Sequence, residues 1–132
     1  MTDEVDDLVG LRILVAEDNL LVADLICEGL ESFGCIAVGP VVRVQAALDL
    51  AAVESLDGAL LDVNLAGEFS FPVATALGAR NVPVVFLTGY DDAAMFPPEL
   101  QSMPRIAKPF NYKNLANVLS RQFGKTRRKP TS

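Results

Sequence analysis

The chain of 132 residues contains no histidine. That absence excludes histidine nucleophiles, Ser/His triads and most zinc sites, so any chemistry must come from carboxylates, lysine, hydroxyls or thiols. Cysteine is scarce, with only Cys27 and Cys35. The acidic opening stretch MTDEVDDLVG lacks the basic-then-apolar signature of a secretory signal. The expected setting is therefore the cytoplasm, where the two cysteines are expected as free thiols. No apolar run approaches the roughly 18 residues of a membrane span, so no membrane association is expected. No Gly-x-Gly-x-x-Gly follows the first apolar stretch, which argues against a dinucleotide site. Positive charge is also short: 11 Lys and Arg stand against 17 Asp and Glu, for a net charge of −6. That balance argues against a nucleic-acid binder. The local exception is the tail GKTRRKPTS, with Lys125, Arg127, Arg128 and Lys129. A solvated segment is the ordinary reading of such a tail, and docking to an acidic partner the minor one.

What the chain has in quantity is apolar residues, 51% of the total, enough for one core in a length that suits one domain. They come in alternating patterns. LRILVAED reads as a buried strand running into acids. NLLVADLICEGLESFG places Val22, Leu25, Ile26, Leu30 and Phe33 at helical spacing, with Asn19 as N-cap and Gly34 as the stop. CIAVGPV is a short strand whose Pro40 suits a sheet edge. RVQAALDLAAVES is a second helix through Val44, Ala47, Leu48 and Ala51. GALLDVNL is a third strand, and SFPVATALGARN a helix with Ser70 as cap and Pro72 in its first turn. VPVVFLTGY is a fourth strand. DDAAMFPPEL starts as a helix that Pro97-Pro98 should end after about two turns. PRIAKPF is a short fifth strand, and NYKNLANVLSRQFG a closing helix capped by Asn111, with Leu115, Val118 and Leu119 inward. Strands that are apolar throughout and alternate with helices predict an α/β fold, a parallel sheet covered on both faces. The expected bounds are a loose acidic segment over 1–10, the domain over 11–123 and a loose basic tail over 124–132.

Ligands of an open parallel sheet bind beyond the carboxyl ends of its strands. Strand one ends in Glu17 and Asp18, strand three in Asp62, strand four in Thr88-Gly89, and strand five in Lys108-Pro109. Each has an ordinary structural reading: Asp18 as a helix cap, Asp62 as a turn residue, Thr88 as a strand residue, Lys108 as a solvated charge. Their convergence on one edge from four separate strands favours a common site. Clustered carboxylates repel and favour a proton or a cation. An all-oxygen donor set suits magnesium, with Asp18 and Asp62 as direct ligands, Glu17 direct or through water, and the backbone carbonyl of Asn64 as a further oxygen. A carboxylate beside such a cation can attack phosphorus and form an acyl phosphate. Lys108 would then neutralise a phosphoryl oxygen, and Thr88 would donate a hydrogen bond to another. A calcium loop starting at Asp62 fits Asn64 and Gly67 at its third and sixth positions but fails at Ala66 and Val73, the fifth and twelfth.

The acid pair ED at 17–18, LLDVNL around Asp62, FLTGY with Thr88 and AKPF with Lys108, in that order, resemble the receiver domain of two-component response regulators. The resemblance spans roughly residues 11–123. It implies a flavodoxin-like (βα)5 fold, a doubly wound sheet of strand order 2-1-3-4-5 in a single domain. It implies Asp62 as phosphoacceptor, Glu17 and Asp18 as magnesium-binding acids, Thr88 as switch hydroxyl, Lys108 as the phosphate-contacting lysine, and a cis bond before Pro109. Arg105 stands where the family usually has an aromatic switch residue. FLTGY resembles the FATGUY motif of a stand-alone alphaproteobacterial subgroup that lacks that aromatic, although Leu87 and Asp91 depart from its pattern. The implied function is a phosphoacceptor signalling protein, not an enzyme in the usual sense, that takes phosphate from a histidine kinase or histidine phosphotransferase and acts on an output protein by contact. It would be a monomer or weak dimer. The alternatives are a receiver-like interaction module that works without phosphorylation and, from another class, an aspartyl-nucleophile phosphohydrolase. The latter usually carries Asp-x-Asp on strand one, and here Asp62-x-Asn64 lies on strand three. The expected switch is a reordering of residues 89–104, in which Tyr90 changes environment and Arg105 stays at the surface as a docking charge.

Overall fold

A computed structural model describes residues 8–89 and 92–127. In chain order the elements are β1 (Arg12–Ala16), α1 (Leu20–Ser32), β2 (Ile36–Val41), α2 (Val44–Val53), β3 (Gly58–Asp62), β4 (Asn64–Leu65), β5 (Glu68–Phe69), α3 (Phe71–Ala79), β6 (Val84–Thr88), β7 (Arg105–Ala107) and α4 (Tyr112–Arg127). Five strands form one sheet in the order β2-β1-β3-β6-β7, with all four pairings parallel. This is the flavodoxin-like strand order 2-1-3-4-5 expected from the sequence, with β6 and β7 as the fourth and fifth strands.

Successive side chains of a strand point to opposite faces, and the three inner strands feed two cores in alternation. Leu14, Ala16, Ala59, Leu61, Val84 and Phe86 pack under α2 and α3. Ile13, Val15, Leu60, Val85 and Leu87 pack under α1 and α4 with Ile26, Leu30, Leu115, Leu119 and Phe123. Because both faces are covered, β3 and β6 are buried at every position, which is why their sequences read as unbroken apolar runs.

The caps explain where the helices start and stop. Asn19 Oδ1 accepts hydrogen bonds from Leu21 N at 3.0 Å and Val22 N at 3.2 Å, and Gly34 takes φ +88 just past the end of α1. Asn111 Oδ1 accepts from Asn114 N at 2.8 Å at the start of α4. The Lys108–Pro109 bond is cis, as the resemblance implied, and so is Gly39–Pro40. Cys27 and Cys35 form no disulfide.

Several expectations need correction. The stretch DDAAMFPPEL forms no α-helix: it holds two 3-10 turns, Asp92–Met95 and Pro98–Leu100. Pro97 and Pro98 leave too few backbone donors for a regular turn. The sequence pattern missed a hairpin, β4 and β5, directly after Asp62. Leu25 does not face the core and is exposed, whereas Ala23 and Ile26 are buried. The ordered domain begins before residue 11, since Leu8 is fully buried and Gly10 N donates to Gly34 O at 2.8 Å. At the other end α4 continues past residue 123 to Arg127. Tyr90, Asp91, residues 1–7 and residues 128–132 lie outside the described residues.

Gly58 marks a close contact between sheet and helix. A Cβ there would sit 2.6 Å from the Phe123 ring, and that ring is fully buried. Gly58→Ala should destabilise the domain by about 1–3 kcal/mol through overpacking. Chemical denaturation should show the loss as a lower midpoint with little change in slope.

Candidate functional site: a carboxylate cluster closed by one lysine

The carboxyl ends of β1, β3 and β6 lie side by side because their pairing is in register: Ala16 faces Leu61, and Asp62 faces Leu87. The residues that follow or end these strands therefore share one edge. Glu17 is fully buried, Asp62 is 7% exposed and Thr88 is 6% exposed, while Asp18 is exposed. Glu17, Asp18 and Asp62 each place a carboxylate oxygen within 4.8 Å of the others. The sequence assigned these acids to one site, and the fold brings them together.

Lys108 closes the cluster. Its Nζ lies 2.8 Å from Glu17 Oε1 and 3.2 Å from Asp62 Oδ2. The Glu17 contact is an ion pair by distance, but no well-angled hydrogen bond reaches that buried oxygen. The other oxygen, Glu17 Oε2, accepts from Asn19 N at 3.0 Å. Burial pushes the Lys108 ammonium down, but its close ion-pair contact with Glu17 and the charges of Asp62 and Glu17 outweigh that, so its pKa is raised. Asp62 is pushed up to about 7, first by burial and then by the charge of Glu17, against the opposing pull of Lys108.

Contacts that the sequence did not show complete the surroundings. Ser70 stands at the N-cap of α3 but makes no side-chain capping bond. Its hydroxyl instead donates to the Asp62 carbonyl at 2.6 Å, fixing the backbone that carries the carboxylate. Asp18 does not cap α1; its Oδ2 accepts from Ala66 N at 2.8 Å. Ser70 N donates to Val63 O at 2.8 Å. The Asn64–Phe69 pair of the hairpin is thus a non-hydrogen-bonded pair, and the Asn64 carbonyl is not consumed by the ladder.

Thr88 Oγ1 points to Ile106 O at 3.4 Å, a long and weak contact. Beyond it, Gly89 N donates to Asp92 Oδ2 at 2.6 Å. Arg105 is half-buried, not a free surface charge. Its guanidinium lies 4.0 Å from the Phe96 ring centroid, and Nη2 donates to Gln101 O at 2.6 Å. Gln101 Nε2 in turn donates to Phe96 O at 2.8 Å. An aromatic face is the partner that makes partial burial of a guanidinium tolerable.

No known family profile matches the chain. SdrG from Sphingomonas melonis Fr1, known from its solution structure, is 38% identical, with a TM-score of 0.75 over 86% of this chain and 95% of that one. The receiver domain of sensor histidine kinase PA1611 from Pseudomonas aeruginosa PAO1 is 27% identical, with a TM-score of 0.76 over 88% of this chain and 99% of that one. The chain belongs to the response regulator receiver domains. The PA1611 domain was crystallised with a magnesium ion coordinated in its active site cleft. Among curated proteins, the sensory transduction protein LytT of Bacillus subtilis (strain 168) is 27% identical over 114 residues, 84% of this chain and 47% of LytT. The chain thus spans about half the length of the curated relatives it matches.

The raised pKa of Asp62 has a consequence for stability. An unfolded aspartate titrates near 3.9, and the folded one near 7. The folded state therefore holds its proton more tightly. The stabilisation is complete below about pH 4 and is lost as pH rises through 7. Metal-free wild type should lose melting temperature between pH 5 and pH 8. Asp62→Asn, which cannot ionise, should lose less and should melt higher than wild type at pH 8. Parallel pH profiles for the two proteins would show that Asp62 is not the titrating group.

Proposed function

We propose that this receiver domain accepts a phosphoryl group on Asp62, with magnesium bound by Asp18, Asp62 and the Asn64 carbonyl and with Glu17 contributing directly or through water. One observation carries the reading: Lys108 already bridges Asp62 and Glu17, at 3.2 and 2.8 Å, inside a three-carboxylate cluster at the ligand-binding edge of the sheet. The residues fit the cation. The donors are all oxygen, they repel one another, and one buried oxygen of Glu17 has no good hydrogen bond. Magnesium, when bound, supplies charge neutralisation for the phosphoryl oxygens.

The chain's own groups divide the rest. A carboxylate oxygen of Asp62 forms the new bond to phosphorus as the bond to the donor's leaving group breaks. Asp62 must be ionised to do so, and Lys108 favours that form by lowering the pKa that burial raises. Lys108 then neutralises a phosphoryl oxygen, and Thr88 turns from its weak contact with Ile106 to donate to another. These 132 residues contain no histidine, so a phosphohistidine donor lies outside them, on a histidine kinase or a histidine phosphotransferase. The output is a protein contact, by relay, phosphate sink or regulation of a partner. FLTGY and the absence of an aromatic at Arg105 support the stand-alone subgroup as part of this reading.

Acetyl phosphate with magnesium should add one phosphoryl group to the full chain, read by intact mass. Asp62→Asn should abolish the gain, and persistent labelling of that variant would end the assignment. The switch has its own test. Residues 92–104 are held to β7 by the Arg105–Phe96 and Arg105–Gln101 contacts. Phosphorylation should loosen or reorder this segment, with Thr88, Tyr90 and Arg105 as the responding residues. Arg105→Ala should raise amide exchange across 92–104 several-fold without phosphate while leaving Asp62 phosphorylation intact. Unchanged exchange in that variant would exclude Arg105 as a restraint.

A further inference from the structure

Apart from the Asn64 carbonyl, the hairpin after Asp62 has no role in the reading above, yet it meets the acid cluster at a second defined point. Asp18 is exposed, and an exposed carboxylate samples several rotamers unless something holds it. Here Oδ2 accepts from the backbone N–H of Ala66 at 2.8 Å. We propose that Ala66 N–H is a positioning group for the cation site: it holds Oδ2 of Asp18 and so limits the orientations in which that carboxylate can meet the metal. This inference rests on the magnesium reading of the site.

The hairpin's construction supports it. β4 and β5 are joined by Ala66 and Gly67 alone. Both have positive φ, +52 and +91, the signature of the two-residue turn that matches strand twist. Alanine adopts such a φ at a cost. Asn64 Oδ1 accepts from Gly67 N at 2.9 Å and locks the turn. The base is fixed as well, by Ser70 N on Val63 O at 2.8 Å and by Phe69 stacked on Phe71 at 5.4 Å between centroids. The result is a short, rigid arm that aims one N–H at one carboxylate oxygen. Donors that orient a ligand in this way commonly change metal affinity by roughly 10–100-fold.

Gly67 allows a clean test, because a Cβ there would meet nothing within 4 Å. A side chain at that position acts through backbone strain alone. Magnesium titration of the full chain, by calorimetry and by amide NMR, should show Gly67→Val binding about tenfold more weakly than wild type. Gly67→Asn, which tolerates positive φ, should stay within about twofold. Asn64→Ala keeps its backbone carbonyl but loses the lock on Gly67, and it should also bind more weakly. If Gly67→Val fails to fold, Asn64→Ala and the wild-type amide carry the test. In wild type the Ala66 amide proton should exchange slowly both before and after magnesium is added, and it should exchange fast in Asp18→Ala. Wild-type affinity in Asn64→Ala and Gly67→Val, equal weakening by Gly67→Asn and Gly67→Val, or loss of Ala66 protection on magnesium binding would each overturn the inference and leave the magnesium site standing. A wild type that binds no magnesium would overturn both.

Discussion

The structure depends on keeping three carboxylates together at one edge of a sheet without letting their repulsion open it. Lys108 is the counter-charge that makes this possible. It follows the outermost strand on its side, and β6 lies between that strand and β3. Only a long, flexible stem lets its ammonium reach Asp62 and Glu17 together. The neutralisation is partial, with one lysine against three acids: burial first and the Glu17 charge second still raise the pKa of Asp62 against the pull of Lys108. The edge is stable enough to be built and unbalanced enough to favour a ligand of positive charge.

The sheet solves the rest of the positioning problem by burial. β3 is central and fully covered, so the backbone leading to Asp62 has little freedom. Ser70 extends that control by holding the Asp62 carbonyl, and Asn19 N does the same for Glu17. The acids that are buried are thus fixed by the core, whereas exposed Asp18 relies on a contact from the neighbouring loop. The segment after β6 obeys different rules. A helix there would share its backbone bonds cooperatively. The observed segment is tied instead by side-chain contacts at Asp92, Gln101 and Arg105 and by the burial of Phe96 and Leu100 in the core.

The parallel sheet and its polar edge were legible because they follow from burial. Strands covered on both faces must be apolar, so a charged residue at their ends, such as Asp62 or Lys108, stands out against the run. The β4–β5 hairpin was not legible, since two-residue strands have no period and Ala-Gly is a weak turn signal. The 3-10 turns were read as a short helix because Ala93, Ala94 and Met95 suit one locally. The exposure of Leu25 was missed because spacing counts apolar residues without knowing which arc of the helix meets the sheet. The place of Arg105 depended on Phe96, a contact between elements that no local pattern contains.

Both margins of the sheet share a property that bears on how copies of the chain can meet. The outer strand β2 contains Pro40, which has no N–H to offer a neighbouring strand. The opposite outer strand, β7, is only three residues long. Neither margin is a good template for adding a strand from another molecule. Self-association is thereby steered toward side chains on helix and loop surfaces, where it can be reversible and specific, and away from an extended intermolecular sheet.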